Sequence, residues 1–145
     1  MKKAFNISNQ SLKIVELIDN NQFFCLDDKN TNRLYLIWFT IALGVERGYP
    51  TSLERGKKSF VRTEYMENIL HVFAALYYDK KISTGEEDID IITDDNILID
   101  LAEEYAETGF SILKDKLSSN VSEENFCFEL IAQMDQWIEN YFPAQ

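Results

Sequence analysis

The stretch Leu34-Tyr35-Leu36-Ile37-Trp38-Phe39-Thr40-Ile41-Ala42-Leu43 decides how this chain is read. Only Thr40 interrupts its apolar character, and neither Gly nor Pro breaks it. A run with no polar face reads as a helix buried on nearly all sides. A membrane span needs about 20 apolar residues, roughly twice this length, so the run belongs to a globular core. Thr31 or Asn32 offers an N-cap, and Gly48 with the Tyr49-Pro50 pair stops the helix near Arg47.

Helical spacing continues on both sides of this centre. Leu12, Val15 and Ile18 form one stripe of a first helix over Ser8–Asn20, with Ile14 and Leu17 beside it. Phe23, Phe24 and Leu26 make a short apolar patch before the central helix. A third helix is predicted over Ser59–Asp79, burying Met66, Ile69, Leu70, Phe73, Leu76 and Tyr77. Lys80–Asp95 is polar and reads as a loop. A fourth helix starts at Thr93 or Asp94 and runs to Leu117, with Leu98, Leu101, Ala102, Tyr105, Ala106, Ile112 and Leu113 inward. Gly109 in its middle costs about 1 kcal/mol against Ala, which close packing or a kink would explain. Ser122 caps a last helix, striped by Phe126, Leu130, Met134, Trp137 and Tyr141. The expectation is an all-α fold, a single-domain bundle of about five main helices over residues 1–145.

Composition agrees with a globular chain: 46% of its 145 residues are hydrophobic and 27% charged. Two Pro and five Gly are too few for the turns of an all-β fold. Lys2 and Lys3 precede no apolar stretch, so no secretory signal is read and a cytoplasmic location is expected. Cys25 and Cys127 are isolated, which suits reduced thiols rather than a disulfide or zinc site.

Charge is the uneven quantity. Residues 1–81 carry twelve basic and nine acidic groups, whereas residues 82–145 carry two and sixteen, within a net charge of −11. Between Ile82 and Phe110 stand Glu86, Glu87, Asp88, Asp90, Asp94, Asp95, Asp100, Glu103, Glu104 and Glu107, with no Lys, Arg or His. Such a field attracts a basic partner or a metal and repels nucleic acid and anionic membranes. Asp94 and Asp95 suit a helix N-terminus. Asp100, Glu103, Glu104 and Glu107 fall at i, i+3, i+4 and i+7, which places four carboxylates on one helical face without a compensating Lys at i+4. An ordinary solvated face usually mixes signs, so this face and the loop before it are read as a partner-binding surface.

No constellation for catalysis emerges. His71, the sole histidine, lies on a polar face with no Ser or Cys nucleophile near it in sequence. A calcium loop starting at Asp88 fails, with Thr93 in place of Gly at the sixth position and Ile99 in place of Glu at the twelfth. Glu64-Tyr-Met-Glu67, Asp100-Leu-Ala-Glu103 and Glu104-Tyr-Ala-Glu107 imitate the paired carboxylate motifs of all-α nucleotide pyrophosphohydrolases, which makes a magnesium-dependent enzyme one alternative. A helical protein-interaction module using an apolar patch, for example around Phe23, Phe24 and Trp137, is another. The leading expectation has no catalytic residues, no cofactor and no metal.

Size, helical class, the lack of a signal and the Glu86–Glu107 acid cluster together resemble the small acidic immunity proteins of bacterial toxin systems, including contact-dependent growth inhibition. That resemblance implies a non-enzymatic protein that binds and neutralises a basic cognate toxin, commonly a nuclease domain. It implies a protein partner, and neither nucleic acid nor membrane.

Overall fold

A computed structural model describes residues 2–21, 29–53, 56–83, 85 and 93–118, and nine further positions between 128 and 140. In chain order it contains β1 (Ala4–Ile7), α1 (Asn9–Asn21), α2 (Lys29–Arg47), β2 (Lys58–Arg62), a 3-10 turn (Thr63–Tyr65), α3 (Glu67–Ser83) and α4 (Asp95–Ser118). The positions described between 128 and 140 are helical as well. The chain is an all-α bundle carrying one small two-stranded sheet. Phe5 and Ile7 of β1, Val15 and Ile18 of α1, Ile37 and Ile41 of α2, Phe73 of α3, and Ile99 and Phe110 of α4 share one buried cluster.

Ser8 ends β1 and begins α1. Its hydroxyl accepts the Ser11 amide at 3.0 Å and its carbonyl accepts the Leu12 amide at 3.0 Å, so it is the N-cap of α1. At the far end of α2, Gly48 adopts φ 94° and donates its amide to the Gly44 carbonyl at 3.0 Å. The Lys80 ammonium of α3 donates to the Val45 and Glu46 carbonyls there, filling orphan acceptors of the last turn.

The central contact is α2 against α4. A Cβ at Gly44 would collide with the Tyr105 carbonyl, and a Cβ at Gly109 with the Thr40 carbonyl. These reciprocal pairs, Gly44 with Tyr105 and Thr40 with Gly109, run the helices antiparallel with backbone meeting backbone. Gly109 is therefore explained by close approach, one of the two reasons its position suggested. Beyond the crossing, the chain after α2 is laced to α4: the Thr51 amide donates to the Glu104 carbonyl at 3.0 Å, and the Thr108 hydroxyl donates to the Tyr49 carbonyl at 2.9 Å. Phe73 and Tyr77 of α3 meet Tyr105 of α4 with ring centroids 5.8 and 6.2 Å apart.

Two expectations need correction. The helix predicted from Ser59 begins at Glu67, and Lys58–Arg62 is β2, antiparallel to β1. Phe60 and Val61 are aromatic and β-branched, and a five-residue strand is too short for periodicity to separate it from a helix turn. Its partner, Ala4–Ile7, lies more than fifty residues away. The register runs Phe5 to Val61 and then Asn6 to Ser59, so Phe60 is the extra residue of a bulge. The Arg33 guanidinium covers the Phe60 ring at 4.8 Å. Second, α3 continues to Ser83, into the segment expected to be loop.

Candidate functional site: the carboxylate face of α4

Glu103 sits in the stripe Ile99, Glu103, Ala106 and Phe110, and is 1% exposed, as buried as its apolar neighbours. Its carboxylate is filled from the N-terminal segment. Oε1 accepts the Asn6 amide at 2.7 Å, the Asn6 side-chain amide at 3.1 Å and the Lys2 ammonium at 2.8 Å, while Oε2 accepts Lys2 at 2.9 Å. Every contact is an N–H donor, the environment of an ionised carboxylate. The Asn6 backbone amide donates to Glu103 and not to β2, so Glu103 completes a strand edge that would otherwise hold an orphan amide.

Lys2 also reaches Asp100 at 2.7 Å. Burial is the largest influence on Lys2 and lowers its pKa, yet the hydrogen bonds and charges of Asp100 and Glu103 together outweigh it and leave the ammonium above the ordinary 10.5. Burial is also the largest influence on Glu103, and it raises that carboxyl above 4.5 against the opposing pull of Lys2 and Asn6. One turn further on, Glu107 accepts the Ser8 hydroxyl on Oε1 and the Ser11 hydroxyl on Oε2, the latter at 2.8 Å. The backbone of Lys2 is pinned too. Its amide donates to Asn96 Oδ1 at 2.7 Å, its carbonyl accepts the Thr63 hydroxyl, and the Thr63 amide donates to the Lys3 carbonyl at 3.2 Å.

The face at Asp100, Glu103 and Glu107 is thus a rail along which residues 2–11 of the same chain are laid. The expectation of one outward contact surface is corrected here. Glu103 is sealed inside, Glu107 is half-buried against two serines, and Glu104 is half-buried. Lys2, 101 residues from Glu103, is the compensating cation that local spacing did not reveal. A signal was present nonetheless: a carboxylate at i+4 in the stripe Ile99, Ala106, Phe110 is at a core position.

The remaining acids of the window divide in two. Asp94 and Asp95 are exposed at the start of α4, and Asp94 Oδ1 accepts the Asn96 amide at 2.9 Å as its N-cap. Asp100, though bonded to Lys2, keeps 58% of its side chain exposed. Glu86, Glu87, Asp88 and Asp90 lie outside the described residues, as do Phe23, Phe24, Cys25, Cys127 and Trp137.

Glu64 and Glu67 are exposed, Glu64 pairs with Arg62 at 3.5 Å, and Glu103 faces Lys2 and Asn6. These carboxylates are not gathered as a magnesium site requires. Among the described residues no three of His, Cys, Asp or Glu come together as they would around a metal. No described helix is long and apolar enough to cross a membrane. No protein-family model, no curated protein and no solved structure matches the chain.

Proposed function

We propose that this protein is a non-enzymatic, cytoplasmic binding protein of the immunity type, which neutralises a basic partner such as a nuclease toxin domain. The observation that carries the reading is a subtraction. When the carboxylates that the fold consumes (Glu103 and Glu107) are set aside, Asp94, Asp95 and Asp100 still stand exposed together over the first turns of α4. In sequence they follow directly on Glu86, Glu87, Asp88 and Asp90. A row of carboxylates offers a basic cleft the charge that a phosphate backbone offers it, so it competes with nucleic acid for that cleft. The contact surface is the N-terminal end of α4, narrower than the whole helix face.

The test uses isosteric neutralisation. Asp94→Asn keeps the N-cap, Asp95→Asn removes an exposed charge, and Asp100→Asn leaves Lys2 with Glu103. The immobilised wild-type protein should retain a basic protein from lysate of its source cell, release it as salt rises, and inhibit it in solution. The triple variant should retain the wild-type fold by circular dichroism and lose capture. Equal capture by the triple variant would sink the proposal, and so would a captured partner with no basic surface.

A further inference from the structure

Between α2 and the start of α3 lies a groove of about 350 Å³. Its walls are rich in rings: Tyr35 and Trp38 come from α2, Tyr65 from the 3-10 turn, and Asn68 and Ile69 from α3. Tyr35 and Trp38 stand three residues apart, so both side chains rise from one face of α2. Tyr35 is 64% exposed and Tyr65 61%, which leaves their rings open to a ligand. Sites for small groups begin at about 300 Å³, and the groove is in that range.

Elsewhere the chain lays its own cations on its rings. The Arg33 guanidinium lies over Phe60 at 4.8 Å and the Lys81 ammonium over Tyr77 at 5.4 Å. Arg33 directly precedes the α2 wall of the groove in sequence, yet its charge is turned to Phe60, which does not line the groove. Among the described residues, no cation and no second ring lies against Tyr35, Trp38 or Tyr65. Tyr65 has exposed acids on both sides, Glu64 before it and Glu67 two residues after. Glu64 shares its charge with Arg62 at 3.5 Å, while Glu67 pairs with no cation among the described residues.

We infer that the groove seats an arginine side chain of the basic partner, its guanidinium against the rings of Tyr35, Trp38 and Tyr65. The inference rests on the binding function proposed above and adds a contact apart from the α4 acids. An aromatic face is negative and attracts a cation. A guanidinium is flat and weakly hydrated, so it stacks on rings more readily than an ammonium does. The Asn68 amide oxygen is an acceptor for its N–H groups, with the Glu67 charge beside it in sequence. A net charge of −11 disfavours an anionic occupant. Position ties the groove to the acids of α4. Thr63, two residues before Tyr65, holds the Lys2 carbonyl with its hydroxyl and the Lys3 carbonyl with its amide. The Lys2 amide in turn donates to Asn96 and its ammonium to Asp100. One basic surface therefore meets rings and exposed carboxylates together, and Trp, Tyr and Arg are the residues that most often anchor such contacts.

Tryptophan fluorescence of the full chain tests this without the partner, at constant ionic strength. The probes are arginine amide and citrulline amide, the second an uncharged isostere of the first. Arginine amide should change the emission saturably and citrulline amide should not. The change should be absent from Trp38→Phe, which retains Trp137. Tyr35→Leu and Tyr65→Leu keep the walls apolar and remove a ring face. Each should weaken arginine binding by about threefold or more with the helical circular dichroism unchanged. No saturable response at Trp38 overturns the inference. So does equal binding of the two probes, which would make the groove merely apolar, or full binding by the two leucine variants, which would leave the acids alone to hold the cation. Failure here leaves capture through Asp94, Asp95 and Asp100 standing, because that capture is read with the partner and with other variants.

Discussion

At the scale of single residues, the pair Lys2–Glu103 is where charge and fold meet. A carboxylate that is 1% exposed has given up its water, and four N–H contacts from Lys2 and Asn6 replace it. Removing one partner of such a pair leaves a buried charge behind, which costs about 3 kcal/mol or more. Lys2→Met should therefore lower unfolding free energy in urea by roughly that amount, and adding Glu103→Gln should recover a large part of it. The pH dependence follows from the directions of the shifts. Both folded pKa values are raised, so each group's contribution is fully present below its unfolded pKa and is lost as pH rises through its folded one. For Glu103 that loss comes as pH rises past the ordinary carboxylate range, so acidification from neutrality does not strip stability through this carboxyl. For Lys2 the loss comes only as pH climbs past 10.5. The stability difference between wild type and Lys2→Met should therefore persist through neutral and mildly alkaline pH and close at strongly alkaline pH. A difference that vanished already at pH 8 would show that Lys2 does not hold the buried charge.

At the scale of elements, the α2–α4 crossing and the α1 cap make separate predictions. Gly44→Ala and Gly109→Ala each gain about 1 kcal/mol of helix propensity. Each also drives a methyl into a backbone carbonyl that cannot move without the helix carrying it. The collision should win, with each variant destabilised by about 3 kcal/mol or more in thermal or urea unfolding. Ser8→Ala removes the α1 cap and one of the two hydroxyls on Glu107, a loss of about 1–2 kcal/mol. How far sequence alone reached is visible in these same elements. The α2 helix was legible in its body and its end at Arg47, though it begins at Lys29, ahead of the expected cap at Thr31 or Asn32. Helix α1 to within a residue and α4 to within a residue or two were legible as well, because each carries an apolar stripe long enough to show its period. The sheet was not, since β1 and β2 offer four and five residues and pair across more than fifty. The acid window was legible as a charge anomaly. Its division into consumed and exposed carboxylates was not, because the cation that consumes Glu103 comes from the other end of the chain.

At the scale of the whole molecule, the exposed carboxylates Asp94, Asp95 and Asp100 act through a field, and a field between solvent-exposed charges is screened within about 8 Å at physiological ionic strength. Raising salt from low to high should therefore slow association with a basic partner by about tenfold or more. Stopped-flow capture of the partner across one salt series measures the response. Capture that does not slow with salt would remove the electrostatic basis for placing the partner at α4.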